Sequence, residues 1–342
     1  MSQDLLNTYV IGFDRAIRET VEVKGGKLRP YVQLATGDLF RKEGVYQRTT
    51  GGGLPQKVTN RFGDSPVSEL DYSRRRTSRQ AFQDGQFMDW ADLSKMGTDP
   101  RNAKLNAMKN KFMRQEDIIL DQAFLGTANT TDVETSASTQ AFRDNEAVSV
   151  DANADNNYDF TYKKFLSVLE KFGNNNVDID SQAPVFKISW VQWKQMMEDD
   201  NFINFDYTAN RPLDRSAGAI YDYMGAKFCI SNIVPFINRT GAEIETLEAS
   251  YSSTSTTLQA YFEIADTDLA STGAWQSAST DSTRACYAFM PDAALLEINP
   301  DMTTKVSERA DKGFNYYAYM KAELGAVRME EEKVVVIPCS NS

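Results

Sequence analysis

Acidic side chains are the residues of this chain whose type and spacing come nearest to catalytic chemistry. Three glutamates stand in a row at 330–332 before a valine-rich run, and two aspartates stand together at 199–200. A pair of converging carboxylates is the machinery of a polysaccharide hydrolase. Neighbours on a strand point to opposite faces, so only Glu330 and Glu332 could converge. A solvated strand edge is therefore the favoured interpretation, and a paired-carboxylate hydrolase is an alternative function.

Other common catalytic and metal-binding constellations are missing from the sequence. The chain has no histidine, which excludes Ser-His-Asp and Cys-His catalysis and removes the commonest zinc ligand. Cys229, Cys286 and Cys339 lie far apart without metal spacing, so we interpret them as small buried residues in a reducing compartment. The glycines at 51–53 precede Leu-Pro, which does not match a phosphate-binding loop. We expect no catalytic residues, no cofactor and no metal.

A cluster of arginines is the strongest charge feature of the chain. It comprises Arg74, Arg75, Arg76 and Arg79, with Tyr72 and Phe82 nearby. Arginine beside aromatic residues is typical of nucleic-acid contacts. Arginine clusters also form bidentate pairs with carboxylates across protein interfaces. We favour intersubunit contact for the four arginines, with nucleic-acid contact and a solvated face as alternatives. Charge reversal at Arg75 is then expected to leave the subunit folded and to block assembly.

Charge is unevenly distributed along the chain. The 342 residues carry a net charge of −11. Residues 24–114 hold 18 Lys and Arg against 9 Asp and Glu, whereas residues 115–342 hold 17 against 35. This asymmetry indicates either nucleic-acid binding or pairing between the basic part of one copy and the acidic part of another. The composition otherwise fits a folded protein of one or two domains, without a membrane span or a secretory signal.

Two kinds of regular element would position these residues. Asp99 and Pro100 provide a helix start, and an apolar stripe then predicts a long helix that ends at Gly126. Its basic residues come first and its acidic residues last, opposite to the preference of the helix macrodipole, so we expect outside charges to compensate. Alternating apolar residues over 316–324 predict a half-buried strand, followed by a bend or bulge at 325–326 and a more buried strand over 333–337.

The order of these motifs resembles that of a known family. Arg-Ala-Asp-Lys at 309–312, the aromatic strand, and Gly-Ala-Val-Arg-Met-Glu-Glu-Glu at 325–332 resemble the closing strands of tailed-bacteriophage major capsid proteins with the Hong Kong ninety-seven-like fold. Asp-Tyr-Ser-Arg-Arg-Arg at 71–76 resembles the return strand of the family's extended E-loop. Gly-Ala-Lys-Phe-Cys-Ile-Ser-Asn at 225–232 resembles a strand of its axial domain.

The resemblance implies an α+β fold with five parts. These are an N-terminal arm at 1–30 with an amphipathic helix over 3–22, an E-loop at 31–92, a peripheral domain with a long spine helix at 93–158, an axial domain at 159–290 that includes an insertion at 237–284, and closing strands of the peripheral domain at 291–342. We further expect the E-loop, over about 31–84, to make few contacts with its own subunit. The Ser/Thr-rich insertion should be dispensable for folding, because it buries little apolar area.

The implied function is structural. The resemblance implies a major capsid protein whose copies form pentamers and hexamers and close an icosahedral shell around double-stranded DNA, held without sequence specificity. Implied partners are other copies of itself, a portal, a possible decoration protein and a separate scaffolding protein, since no long helical segment precedes residue 30. No membrane is implied; assembly would occur in the bacterial cytoplasm and the product would be the virion.

Two smaller expectations complete this interpretation. Some family members form a lysine–asparagine crosslink from the E-loop, and Lys42 and Lys57 are the candidates by location. No partner asparagine or catalytic glutamate is marked in the sequence, so we do not expect the crosslink here. Another virion structural component is the remaining alternative function.

Overall fold

A computed structural model of the chain describes residues 25–35, 43–50, 54–55, 57, 71–88, 101–133, 136–140, 142, 146–149, 158–203, 222–237, 260–261, 283–299 and 302–340. The helix expected over 3–22 and almost all of the insertion at 237–284 lie outside these residues, as does Lys42. Within this part of the chain, no helix is both long and apolar enough to cross a membrane.

Helices and strands alternate irregularly along the chain. The helices are α1 (Arg101–Leu125), α2 (Tyr162–Asn174), α3 (Trp190–Glu198) and α4 (Asp200–Ile203). The strands are β1 (Gln33–Leu34), β2 (Glu43–Thr50), β3 (Asp71–Ser78), β4 (Gln80–Met88), β5 (Ala128–Val133), β6 (Ser136–Gln140), β7 (Val185–Ile188), β8 (Asp222–Tyr223), β9 (Ala226–Ile230), β10 (Pro235–Ile237), β11 (Ala260–Tyr261), β12 (Thr283–Phe289), β13 (Ala294–Ile298), β14 (Thr303–Arg309), β15 (Asn315–Arg328) and β16 (Val334–Ser340).

These strands form three sheets. The first has the order β1-β13-β15-β14, and β4 also pairs with β15. The second has the order β11-β10-β12-β7-β9-β8, and β16 also pairs with β12. The third has the order β2-β3-β5-β6. Largely antiparallel sheets covered by a few helices make this an α+β fold, as the sequence predicts.

Strand β15 shows the predicted alternation of buried and exposed residues. One apolar cluster joins its buried side to α1 and includes Ala318, Met320, Ala322, Leu324, Met108 and Phe112. Pairing with β13 runs through Gly325 and Ala326 without a register shift, so there is no bulge at 325–326. The second predicted strand is confirmed as β16, which is buried from Val334 to Cys339. Strand β15 thus contributes buried residues to one apolar cluster, whereas β16 contributes alternate residues to the two others.

Helices α2 and α3 cover the second sheet. The ring of Phe165 on α2 lies 5.1 Å from that of Phe186 on β7, and Phe186 lies 5.2 Å from Phe228 on β9. Ser189 caps α3, because its hydroxyl accepts a hydrogen bond from the backbone N–H of Val191 at 3.2 Å. All three cysteines are buried, in agreement with their interpretation as small core residues.

The acidic end of α1 is compensated by charges from other elements, as its sequence predicts. Lys187 of β7 donates to both carboxylate oxygens of Asp121 at 2.5 Å, and the hydroxyl of Tyr287 on β12 donates to the same carboxylate. The side chains of Lys187, Asp121 and Tyr287 are fully buried. Burial raises the pKa of Asp121 to about 6, while Lys187 acts in the opposite direction. The ion pair joins α1 to the second sheet.

The segment before β1 crosses α1 at close range. The carboxylate of Asp117 accepts hydrogen bonds from the backbone N–H groups of Lys27 at 3.4 Å and Leu28 at 3.2 Å. A Cβ added to Gly25 would come within 2.3 Å of the backbone nitrogen of Arg114, so only glycine fits at this position. The chain is therefore fixed to α1 where the described residues begin.

Candidate assembly interface

Strands β2 and β3 form an antiparallel ribbon that carries three of the four arginines of the predicted site. Their pairing keeps one register along both strands. Side chains alternate across the ribbon, so neighbouring residues lie on opposite faces. The inner face comprises Gly44, Tyr46, Arg48, Ser73, Arg75 and Thr77. The outer face comprises Val45, Gln47, Thr49, Tyr72, Arg74 and Arg76.

Arg75 on the inner face is paired within its own chain. One of its guanidinium nitrogens, Nη2, donates to both carboxylate oxygens of Glu331 at 2.8 Å. Its Nε donates to the backbone oxygen of Met329 at 3.4 Å. Arg75 is only 4% exposed. A charge reversal here would place two buried carboxylates together, so the expectation that it leaves the subunit folded is not supported by this environment.

Glu331 is the centre of a buried charge cluster in the turn between β15 and β16. Besides Arg75, it accepts a hydrogen bond from Arg48 on β2 at 3.1 Å, and Nε of Arg328 lies 3.6 Å from its carboxylate. Glu331 is 1% exposed, so the prediction of a solvated edge for 330–332 is wrong at this position. The physical reason is that arginines from two other strands neutralise and desolvate its charge.

A second buried carboxylate holds the same ribbon from another strand. The hydroxyl of Tyr46 donates a hydrogen bond to Glu297 of β13, and Nε of Arg79 lies 3.9 Å from that carboxylate. A Cβ added to Gly44 would come within 1.9 Å of Oε1 of Glu297, so the glycine permits this close approach. Glu297 is buried. Arg79, which follows β3, therefore also has a partner in its own chain.

The electrostatics of the cluster reflect burial opposed by ion pairing. Burial lowers the pKa of Arg75, and the charge of Glu331 acts against this. Burial likewise lowers the pKa of Arg328 to about 10, again opposed by Glu331. Arg328 therefore keeps its charge at neutral pH. Its Nη1 donates to the backbone oxygens of Phe124 and Gly126 at 2.7 Å, where the end of α1 favours a cation.

The outer face of the ribbon is open. Tyr72 is 69% exposed and Val45 is 43% exposed, and Arg74 is also exposed. Arg76 is partly exposed and pairs with Glu43 at the start of β2. An exposed tyrosine, an exposed valine and an exposed arginine on one face have the composition of a protein-binding surface. The four predicted arginines thus divide between the open face and the buried contacts, and their intersubunit role stays a prediction.

The expectation that 31–84 makes few contacts with its own subunit is wrong for the described residues. Within that range, β4 pairs with β15 from Gln80 opposite Leu324 to Asp84 opposite Met320, and β1 pairs with β13. Ion pairs and hydrogen bonds also join the inner face of the ribbon to Glu297 and Glu331. The sparse apolar content of this region led to that expectation, but backbone pairing and buried charges add to the few apolar contacts made by Tyr31, Val32 and Phe82.

The carboxylates considered for a hydrolase have other partners. Glu330 and Asp292 both lie within hydrogen-bonding reach of the amine of Lys333, at 3.1 and 2.6 Å. Glu332 pairs with Arg48 at 3.4 Å. In the described ranges, no group of three or more His, Cys, Asp or Glu side chains could hold a metal ion. These groups form ion pairs within the turn before β16 and between that turn and other segments of the chain.

Sequence reasoning missed the central position of Glu331 and the roles of Arg48 and Glu297. One signal was available, because Arg328 precedes Glu331 by three residues and Glu330 precedes Lys333 by three. This spacing indicates different partners for the two glutamates, Arg328 for Glu331 and Lys333 for Glu330. It does not indicate which of the two glutamates is buried. No spacing in the sequence connects Arg48 or Glu297 with the ribbon, since those contacts depend on the register of distant strands.

A family model described as phage capsid protein matches residues 5–341 of the chain. The chain belongs to this family. Among curated proteins, none matches it. Solved structures match along nearly the whole chain: the capsid of cyanophage P-SCSP1u has a TM-score of 0.65 at 11% identity, covering 98% of this chain and 94% of that one. The head of Helicobacter pylori bacteriophage KHP40 gives 0.63 at 10%, covering 100% and 98%.

The mature capsid of bacteriophage PhiM1 is similar as well, with a TM-score of 0.59, 12% identity and coverage of 98% of this chain and 93% of that one. The predicted family is confirmed, and the fold is Hong Kong ninety-seven-like. The protein is a phage major capsid protein that forms an icosahedral shell, and it is a structural component of the virion rather than an enzyme. Copies of the chain are therefore partners of one another.

Proposed function

We propose that the outer face of the β2–β3 ribbon is an intersubunit contact of the shell. The observation that carries this proposal is the division of the arginine cluster across the ribbon. Arg74 and Arg76 face away from the subunit beside exposed Tyr72 and Val45, whereas Arg75 is held internally. Arg75 and Arg79 contribute to the contact indirectly, because they hold the ribbon in place.

Charge complementarity supports this contact. The outer face is basic, and it belongs to the part of the chain with 18 Lys and Arg against 9 Asp and Glu. Residues 115–342 hold 35 Asp and Glu against 17 Lys and Arg, so a neighbouring copy offers many carboxylates. Bidentate guanidinium–carboxylate pairs fix geometry as well as add binding energy. A shell built of identical copies repeats that contact many times.

We also propose how the chain divides into the parts of the family's fold. The boundaries are an N-terminal arm at 1–30, an E-loop at 31–92, a peripheral domain at 93–158 with α1 as its spine helix, an axial domain at 159–290 and closing strands at 291–342. The ribbon would then belong to the E-loop, and the second sheet with α2 and α3 to the axial domain. Strand β16 of the closing segment would add to the axial sheet, because it pairs with β12 along its whole length. Pentamers and hexamers are the expected assemblies.

The remaining partners are also proposals. A separate scaffolding protein and a portal would take part in assembly, and a decoration protein could bind the finished shell. Double-stranded DNA would be enclosed without sequence specificity. The net charge of −11 supports this last point, since a basic wall would bind DNA strongly and an acidic one leaves it free to move.

The test is a charge reversal at Arg74. Arg74→Glu should leave the unassembled subunit folded, as judged by circular dichroism, and should reduce shell formation strongly in sedimentation and electron microscopy. The matched control is Lys163→Glu, which makes the same charge change at an exposed position on α2. Shells from Arg74→Glu that equal those of the wild type in yield and size would refute the contact. Equal loss in both variants would assign the effect to net charge.

A further inference from the structure

The ribbon lacks the apolar contacts that normally fix one element against another. In the described part of the chain, no side chain of β2 or β3 belongs to any of the buried apolar clusters. Backbone pairing of β3 with β5 is confined to Arg75 opposite Thr130 and Arg76 opposite Asn129. Val45 and Tyr72 point outward, and Tyr46 on the inner face bonds Glu297 through its hydroxyl. The direction of the ribbon must therefore depend on its polar contacts.

Those polar contacts converge on two buried carboxylates from different strands. Glu331 binds one residue from each strand of the ribbon, Arg48 of β2 and Arg75 of β3. Glu297 accepts a hydrogen bond from Tyr46 and lies beside Arg79. Because the ribbon is held at two separate points, both its rotation and its distance from the rest of the subunit are restricted. We call Glu297 and Glu331 the anchor carboxylates.

Both anchor carboxylates are fixed to rigid parts of the subunit. Arg328 lies 3.6 Å from Glu331 and bonds the end of α1 through the backbone oxygens of Phe124 and Gly126. Glu297 lies within β13, opposite Gly325 of β15. A change in the position of α1 or β15 would therefore be transmitted to the ribbon through these charged contacts.

We propose that Glu331 and Glu297 are positioning residues that set the angle of the β2–β3 ribbon relative to α1. This rests on the proposed function, in which the outer face of the ribbon contacts another copy. Each carboxylate acts through the ribbon and lies on the opposite side from the open face. Their role is to present the outer face at one fixed angle, which determines the geometry of the assembled shell.

The experiment compares Glu331→Gln with Glu330→Gln, an equal change at a half-exposed neighbour that pairs with Lys333 instead. Hydrogen exchange of the unassembled subunit is measured by peptide. In Glu331→Gln, amides of β2 and β3 should exchange about tenfold faster or more, whereas those of α1 and β16 keep their rates. Electron microscopy should show fewer closed shells and a wider range of sizes. Glu330→Gln should match the wild type in both measurements.

A purely structural role predicts a different result. If Glu331 served only global stability, exchange would rise throughout the subunit and the thermal midpoint would fall, and the proposal would be overturned. Unchanged exchange in the ribbon would overturn it equally. Glu297→Gln provides the second variant in case Glu331→Gln does not fold, with the same local pattern expected around Tyr46.

Failure of the positioning role can be told apart from failure of the interface. If Arg74→Glu forms normal shells, the proposed contact is wrong whatever the anchor variants do. If Arg74→Glu blocks shells while Glu331→Gln and Glu297→Gln leave ribbon exchange and shell size unchanged, the contact stands and the positioning role is wrong.

Discussion

Arg74 and Arg75 are adjacent in the chain and lie in opposite environments. Arg75 has two 2.8 Å contacts with a buried carboxylate and is nearly inaccessible, whereas Arg74 is exposed on the open face of the same ribbon. One step along a strand reverses the face, so a run of arginines cannot share one role. The cluster is better understood as two sets, one that holds the ribbon and one that is available to a neighbour.

The same distinction between internal and available charge applies beyond the ribbon. Lys187 and Asp121 form a fully buried pair, whereas Lys194 and Glu198 on α3 form an exposed pair. Removing one member of a buried pair leaves an uncompensated charge, and this costs far more than losing a solvated pair. Substitutions should therefore have graded effects that follow burial rather than charge alone.

The largest loss of stability is expected at Lys187. Lys187→Met removes the cation that faces Asp121 and should lower the free energy of unfolding of the unassembled subunit by about 3–5 kcal/mol. Urea unfolding followed by circular dichroism measures this. The double variant Lys187→Met/Asp121→Asn should recover a large part of the loss, because no lone charge remains. A double variant as unstable as the single one would show that packing, and not charge, is responsible.

Arg75→Met should come second. Glu331 keeps Arg48 and Arg328 as partners, so we expect a smaller loss of about 2–3 kcal/mol in the free energy of unfolding. Urea unfolding measures this loss as well. Shell formation should also fall, because the ribbon loses its ion pair between Arg75 and Glu331. A loss below about 0.5 kcal/mol would mean that the buried Arg75 contributes no more to stability than an exposed arginine such as Arg74.

A pH dependence should separate Asp121 from the other acids. Its pKa is raised from 3.8 to about 6, so the folded state holds a proton that the unfolded chain releases. The resulting stability is fully present below pH 3.8 and is lost as the pH rises through 6. Between pH 7 and pH 5, the unfolding free energy of the wild type relative to Asp121→Asn should rise by about 1 kcal/mol.

The control for this pH dependence is Asp311→Asn, because Asp311 is exposed and its pKa is lowered by hydrogen bonding to Arg309. The difference in unfolding free energy between Asp311→Asn and the wild type should change little between pH 5 and pH 7. The reason is that the pKa of Asp311 is lowered from 3.8 and therefore lies below this range in both the folded and the unfolded state. A constant difference for Asp121→Asn would mean that Lys187 keeps that carboxylate ionised throughout.

Sequence reasoning succeeded where local pattern decides structure. The alternation over 316–324 and the need for outside charges at the end of α1 both depend on residues close together in sequence, and both are confirmed. It failed at 330–332, because three adjacent glutamates look alike until the register of β2, β3 and β15 buries one of them, Glu331, among arginines. Burial of a charge is decided by distant strands, and a single sequence does not specify their register.

The smallest effect on stability is expected for Arg74→Met, the matched partner of Arg75→Met. The side chain is exposed and points away from the anchor carboxylates, so the free energy of unfolding should change by no more than about 0.5 kcal/mol. Shell formation should nevertheless fall, because methionine cannot make a bidentate pair with a carboxylate on another copy. Arg74→Lys keeps the charge but not the planar geometry, and should give an intermediate yield of shells. If Arg74→Met destabilises the subunit as much as Arg75→Met, the division of the cluster into two faces is wrong.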